Sequence, residues 1–272
     1  MKKTKYIVVR HGTKTTKVDL PEMAAKFLDY AILSSNVYCA SQDDKDFIPI
    51  DDWKLFEEPL PKIPPSKLKS QLTIYGLKYQ VWWKEINQKI NIVIVFKGTT
   101  FSLRNDWICN FRWLTMNPIL KNIFKFFLWD YYHQVQVLTP TIVSNIKNHF
   151  QNNLVEFSVT VHSLGGGLAQ QASYSIDAIK NVIVFDTSPV TGYFDIKKEF
   201  RLKNQIGIET CRVYQQGEIL SYFRNFIRVL ILPLSELNPS IKEYEFSFLK
   251  GSSIKRHKMR DFAIRLRKVV HG

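Results

Sequence analysis

Cysteine is scarce in this chain. The three present, Cys39, Cys109 and Cys211, lie far apart and are odd in number. Neither C-x-x-C nor a metal-ligand spacing occurs, so a disulfide framework and a thiolate metal site are both excluded, and reduced, buried thiols are expected. No cofactor or metal is expected either. Long apolar runs are missing too. None approaches the ~18 residues of a membrane-spanning helix. The basic start offers only Tyr6-Ile7-Val8-Val9 before Arg10, too short for a secretory signal. The expectation is a protein cytoplasmic as synthesised, without a signal peptide, with export by a signal-less route left open.

Acidic residues are also few. Against 38 Lys and Arg there are 24 Asp and Glu, a formal charge of +14. Such an excess attracts an anionic surface: phospholipid headgroups, nucleic acid or an acidic partner. The basic residues gather at the two ends, as Lys2, Lys3, Lys5, Arg10, Lys14 and Lys17, and again from Lys250 to Lys268. Solvated, fraying termini are one reading of this and surface attraction is the other. No nucleic-acid-binding module or stacking motif accompanies the charge, so no nucleic-acid partner is expected.

What is present describes a folded protein. Hydrophobic residues make up 45% and aromatics 14% of 272 residues, enough for a sizeable core. No internal repeat, low-complexity tract or domain boundary appears, so residues 1–272 are expected to form one domain. Asp19-Leu20-Pro21-Glu22 has the pattern of a helix start, with Asp at the N-cap and Pro in the first turn. Leu72 to Lys84 and Ile90 to Phe96 read as strands joined by a turn at Asn87-Gln88. The unbroken apolar run Ile92 to Phe96 suits a sheet covered on both faces. Thr139-Pro140 is expected to open a helix, and Val182 to Phe185, Cys211 to Tyr214 and Tyr244 to Leu249 are further strands. Lys258 begins an amphipathic terminal helix with Met259, Phe262, Leu266 and Val269 on one side. Strands alternating with helices predict an α/β fold with a mostly parallel sheet.

The chemistry centres on Val159-Thr160-Val161-His162-Ser163-Leu164-Gly165-Gly166-Gly167, which follows a strand pattern and precedes a helical one. A strand, a serine on a tight corner, then a helix is the layout of a nucleophile elbow. The strict G-x-S-x-G signature places glycine two residues before the serine. Here Val161 stands there, and its branched side chain is expected to crowd or reshape the turn. A serine hydroxyl needs a base, and the base works best when a carboxylate holds its tautomer. Among six histidines, His162 adjoins Ser163 and should point away from it. His149 reads as exposed, while His11 and His271 are terminal. His257, just after the last strand, can reach the sheet's C-terminal edge. Glu218 and Asp186 close neighbouring strands, and Ser163, Glu218 and His257 occur in the order Ser, acid, His. Asp186 remains the alternative acid.

Val95-Phe96-Lys97-Gly98-Thr99, Asp106-Trp107-Ile108-Cys109-Asn110 and His162-Ser163-Leu164-Gly165-Gly166-Gly167-Leu168-Ala169 together resemble class 3 lipases of the α/β-hydrolase fold, over roughly residues 70–260. The resemblance implies Ser163 as nucleophile, with Leu164 and Thr99 as the oxyanion-hole residues. It implies a helical lid over residues 112–130, between the Asp-Trp corner and His133. The family's acid is normally aspartate, so Glu218 is one methylene longer. Tyr132-His133-Gln134-Val135 stands where the family often has His-x-Gly-Phe, and His133 is read as structural. The implied activity is that of a lipase or phospholipase acting on lipid esters at an interface, with peripheral contact to anionic membrane. The resemblance also extends to bacterial phospholipase effectors, whose immunity or secretion partner is not readable here. The contrasting expectation is a catalytically inactive hydrolase-like protein that binds an anionic membrane or a protein partner.

Overall fold

Short β-branched and aromatic runs assemble into a nine-stranded mixed sheet in the computed structural model, which describes residues 6–63, 65, 72–98, 128–151, 153–187, 196–222, 224 and 240–272. In chain order the first elements are β1 (Tyr6–His11), β2 (Lys14–Asp19), α1 (Leu20–Asn36) and β3 (Lys54–Leu55). There follow β4 (Leu72–Thr73), β5 (Tyr79–Ile86), β6 (Lys89–Phe96), β7 (Leu128–Trp129), α2 (Tyr131–His149) and β8 (Leu154–His162). The rest are α3 (Gly166–Ser175), β9 (Ile179–Phe185), α4 (Lys198–Asn204), β10 (Glu209–Gln215), β11 (Ile241–Phe246), α5 (Ser253–Arg256) and α6 (Met259–His271). The sheet order is β2-β1-β11-β10-β9-β8-β6-β5-β3, and β4 pairs with β7 in a separate two-stranded ladder. Strands β6, β8, β9, β10 and β11 are mutually parallel, with antiparallel pairs added at both edges.

The parallel strands are laid down in one direction across the sheet. Right-handed crossovers then fall on a single face. Helices α2 and α3 cover that face, packing Val135, Leu138, Ile142, Leu168 and Ala172 against Ile92, Ile94, Val159, Val182 and Val184. The opposite face needs cover from outside the crossovers, and α1 and α6 provide it with Phe27, Met259, Phe262 and Leu266 over Ile183, Phe185, Val213 and Phe246. Alternate residues of β9 thus enter different cores, which is why its run Val182 to Phe185 is unbroken apolar sequence. The result is an α/β-hydrolase fold.

Several expectations are met closely. Asp19 caps α1 by accepting from Glu22 N, and Asn87 and Gln88 both adopt positive φ, as a two-residue hairpin turn of the right twist requires. Others are corrected. The strand expected over 72–84 is broken at Gly76, whose φ of +117 turns the chain and lets the Tyr131 hydroxyl approach. Pro140 lies inside α2 and does not start it. The helix begins after Asp130, which accepts from His133 N at 3.1 Å, because the apolar stripe from Tyr131 to Ile146 buries more than the missing proline N–H loses. Strand β2, polar and exposed along most of its length, carried no apolar alternation to reveal it. The basic C-terminal segment does not fray: α6 docks on α1. Among the described residues no helix is long and apolar enough to cross a membrane.

Phe262 is 2% exposed and packs against Phe185, Phe246 and Phe248. Phe262→Ala should lower unfolding free energy by about 3–5 kcal/mol in urea denaturation. Ile206→Ala, at a position 70% exposed, should cost less than about 0.5 kcal/mol.

Candidate active site

Strand β8 ends at His162, and the chain turns at once. Ser163 adopts φ +65, a region uncommon for non-glycine residues, then enters the 3-10 turn Ser163–Gly165 that leads into α3. Such a corner is affordable only where neighbouring backbone can come very close. A Cβ on Gly166 would lie 1.7 Å from Thr187 Oγ1, and one on Gly98 would lie 2.1 Å from the His162 carbonyl oxygen. The ends of β6, β8 and β9 therefore touch through glycine. Val161 is fully buried, and its Cγ2 occupies space that a Cβ on Gly165 would invade at 2.5 Å. The room for that valine comes from the glycine two residues after Ser163.

Three loops bring polar groups to the corner. Ser163 Oγ lies 2.8 Å from His257 Nε2, and His257 Nδ1 lies 2.7 Å from Glu218 Oε2. All three residues are buried. Helix α5, capped by Ser252, ends immediately before His257 and fixes its approach. Glu218 Oε2 also accepts from Leu220 N at 2.7 Å, while Oε1 accepts from Arg224 Nη2 at 2.5 Å. Burial works to raise the Glu218 carboxyl, but the His257 hydrogen bond and the Arg224 charge outweigh it and leave the group below its ordinary value. An ionised Glu218 takes the proton-bearing Nδ1 of His257, which leaves Nε2 free to accept from the serine hydroxyl.

Asp186 closes β9 beside this group and is also buried. Burial, then the nearby Glu218 charge, push its carboxyl well above the ordinary range, against the opposing pull of Arg224 and the Gln215 N–H. Of the two candidate acids, the structure joins Glu218 to His257, and Asp186 Oδ1 accepts instead from Gln215 N at 2.7 Å.

His162 departs from the expectation that it points away from the serine's surroundings. Its ring centroid lies 4.6 Å from that of His257. Burial, then the proximity of His257, hold its basicity well below normal, so it stays neutral beside the His257 imidazole. His162, Asp186 and His257 each offer a donor atom within 4.8 Å of the others. The arrangement suits a cation poorly, since both nitrogens of His257 are engaged and burial disfavours charge on Asp186. His133 is buried beside Asp130, whose Oδ1 lies 3.0 Å from its Nδ1, and His11, His149 and His271 are exposed. Thr99, the Asp106-Trp107 corner and residues 112–127 of the expected lid lie outside the described residues. The backbone of Leu164 lies in the turn just after Ser163. Arg224 was not singled out from the sequence, and nothing in its surroundings there marks it.

No family model matches the chain, and no curated protein matches it. Among solved structures it is similar to the Lip2 lipase from Yarrowia lipolytica, at 15% identity over 78% of this chain and 74% of that one, with a TM-score of 0.40. An esterase from Pyrococcus furiosus is similar at 10% identity over 72% of this chain and 86% of that one, with a TM-score of 0.34. These are distant likenesses, and the roles of individual side chains rest on the geometry above.

A carboxyl raised above its unfolded value of about 3.9 stabilises the fold at low pH and loses that contribution as pH climbs toward the folded value. Asp186→Asn removes this dependence. The variant should gain stability relative to wild type between pH 4 and pH 8, read as the difference in Tm by circular dichroism. A pH-independent difference would contradict the assignment.

Proposed function

We propose that this protein is a serine-dependent hydrolase of lipid esters, of lipase or phospholipase type, working through an acyl-enzyme. The observation that carries the reading is the continuous relay from Ser163 Oγ through His257 to Glu218, at 2.8 and 2.7 Å, at the C-terminal edge of a parallel sheet. Ser163 attacks the acyl carbonyl while His257 Nε2 takes its proton, and the ionised Glu218 stabilises the resulting imidazolium. His257 then returns the proton to the leaving alcohol. Water enters by the same route in reverse and releases the acid. The N–H of Leu164 and Thr99 are the proposed donors to the oxyanion, with the turn into α3 adding the favourable field of a helix N-terminus.

The preference for an anionic lipid surface is part of the same proposal. Net charge is +14, and Lys14, Lys17, Lys255, Lys258, Arg265 and Lys268 are exposed. Cationic side chains on a peripheral protein draw it to anionic headgroups by roughly 1 kcal/mol each near the surface. Residues 112–130 are the proposed lid, whose last residues enter β7 at Leu128–Trp129 and the α2 cap at Asp130.

On a fluorogenic short-chain ester, Ser163→Ala should reduce kcat by at least about 10⁴-fold. Equal turnover by both proteins would overturn the hydrolase. Mass spectrometry of products from mixed liposomes identifies the bond cut, and the serine variant should release none. Glu218→Gln should lower kcat/KM by about 10²–10⁴-fold at pH 7, while Asp186→Asn should stay within about fivefold of wild type. The reverse ranking would move the acid role to Asp186.

A further inference from the structure

Two buried carboxyl groups stand at the ends of adjacent strands, and both lie close to His257. Glu218, after β10, hydrogen-bonds His257 Nδ1. Asp186, at the end of β9, has a carboxylate oxygen within 4.8 Å of a ring nitrogen of the same histidine. Arg224 links the two loops: Nη2 donates to Glu218 and Nη1 to the Thr187 carbonyl at 3.0 Å, while the guanidinium lies 3.9 Å over the Tyr214 ring. The relay described above makes no use of Asp186, and Arg224 enters it only through Glu218. Among the described residues Asp186 has one hydrogen bond, from a backbone N–H, and no salt bridge, an unusual arrangement for a buried carboxyl beside a histidine.

We propose that Asp186 is a reserve acid for His257, which takes over the orientation of the imidazole when Glu218 is neutralised, with Arg224 deciding which of the two carboxyls carries the charge. The inference rests on the hydrolase reading and deepens it. One cation this buried can balance one carboxylate well, not two. Arg224 contacts Glu218 directly, so Glu218 holds the charge and Asp186 keeps its proton. Remove the Glu218 charge and the same guanidinium acts on Asp186 alone. Asp186 then releases its proton to solvent and accepts from His257 Nδ1, across a gap that a turn of the imidazole or one bridging water spans. The groups facing Asp186 among the described residues are Glu218, Arg224, His257, the neutral His162 and the Gln215 N–H. Arg224 supplies the positive charge; His257 becomes positive only during turnover.

The test compares Glu218→Gln with the double variant Glu218→Gln/Asp186→Asn, both isosteric, from pH 5.5 to pH 9. The readout is the labelling rate of Ser163 by a fluorophosphonate probe, with folding followed by circular dichroism. The single variant should react at least tenfold faster than the double at pH 8.5, and the two should converge at pH 5.5. Adding Arg224→Lys to the single variant should preserve most of that advantage. Adding Arg224→Met should abolish it. Equal labelling of single and double variants at every pH, with wild type labelled normally, overturns the reserve role alone. Absence of labelling in wild type overturns the hydrolase reading, and this inference with it.

Discussion

A carboxylate with no solvent exposure has to be neutralised by its surroundings, and Glu218 organises this structure through that requirement. Leaving such a charge unpaired would cost several kcal/mol. Its partners come from different parts of the chain: the Leu220 N–H from its own loop, the Arg224 guanidinium, and His257 from beyond β11. Arg224 is itself buried, and it spends its other contacts on the Thr187 carbonyl and the Tyr214 ring. Satisfying one charge therefore ties together the loops that follow β9, β10 and β11. Once they are tied, the imidazole has one place to go, against the hydroxyl at the elbow.

A steric condition works alongside the electrostatic one. Gly98 and Gly166 allow the corners after β6, β8 and β9 to meet at distances no Cβ would permit. The departure from the elbow signature at Val161 is absorbed in the same way. Its side chain fills the space that Gly165 leaves open, so the signature's second glycine accommodates the residue that replaces the first. Neutrality of His162 fits the site electrostatically, because a cation with its ring centroid 4.6 Å from that of His257 would disfavour positive charge on His257.

The parts of this arrangement visible in the sequence are those written in local pattern. Ser163 sits between a β-rich run and a small-residue helical run, and the Asn87-Gln88 turn lies between two strands; both follow from neighbours a few residues away. Ser163, Glu218 and His257 are legible as candidates because each follows a strand pattern. Pro140 reads locally as a helix start, but the nineteen-residue helix α2 runs through it because its apolar face is set by tertiary packing. Strand β2 was missed because it earns its place by pairing with β1, not by burying side chains.

The sequence by itself determined the central apolar strands, the corner at Ser163 and the order of the candidate groups, since these depend on periodicity and backbone preference over short spans. Only the tertiary structure shows Glu218 hydrogen-bonded to His257 while Asp186 accepts from Gln215 N. Both close parallel strands and both are buried, and what separates them is a guanidinium from residue 224 whose direction no local pattern encodes. The same holds for His162, whose ring lies beside His257 although strand alternation sends it elsewhere. Charge state in a buried site is a property of what surrounds a group in space, and the chain assembles those surroundings from segments far apart in sequence.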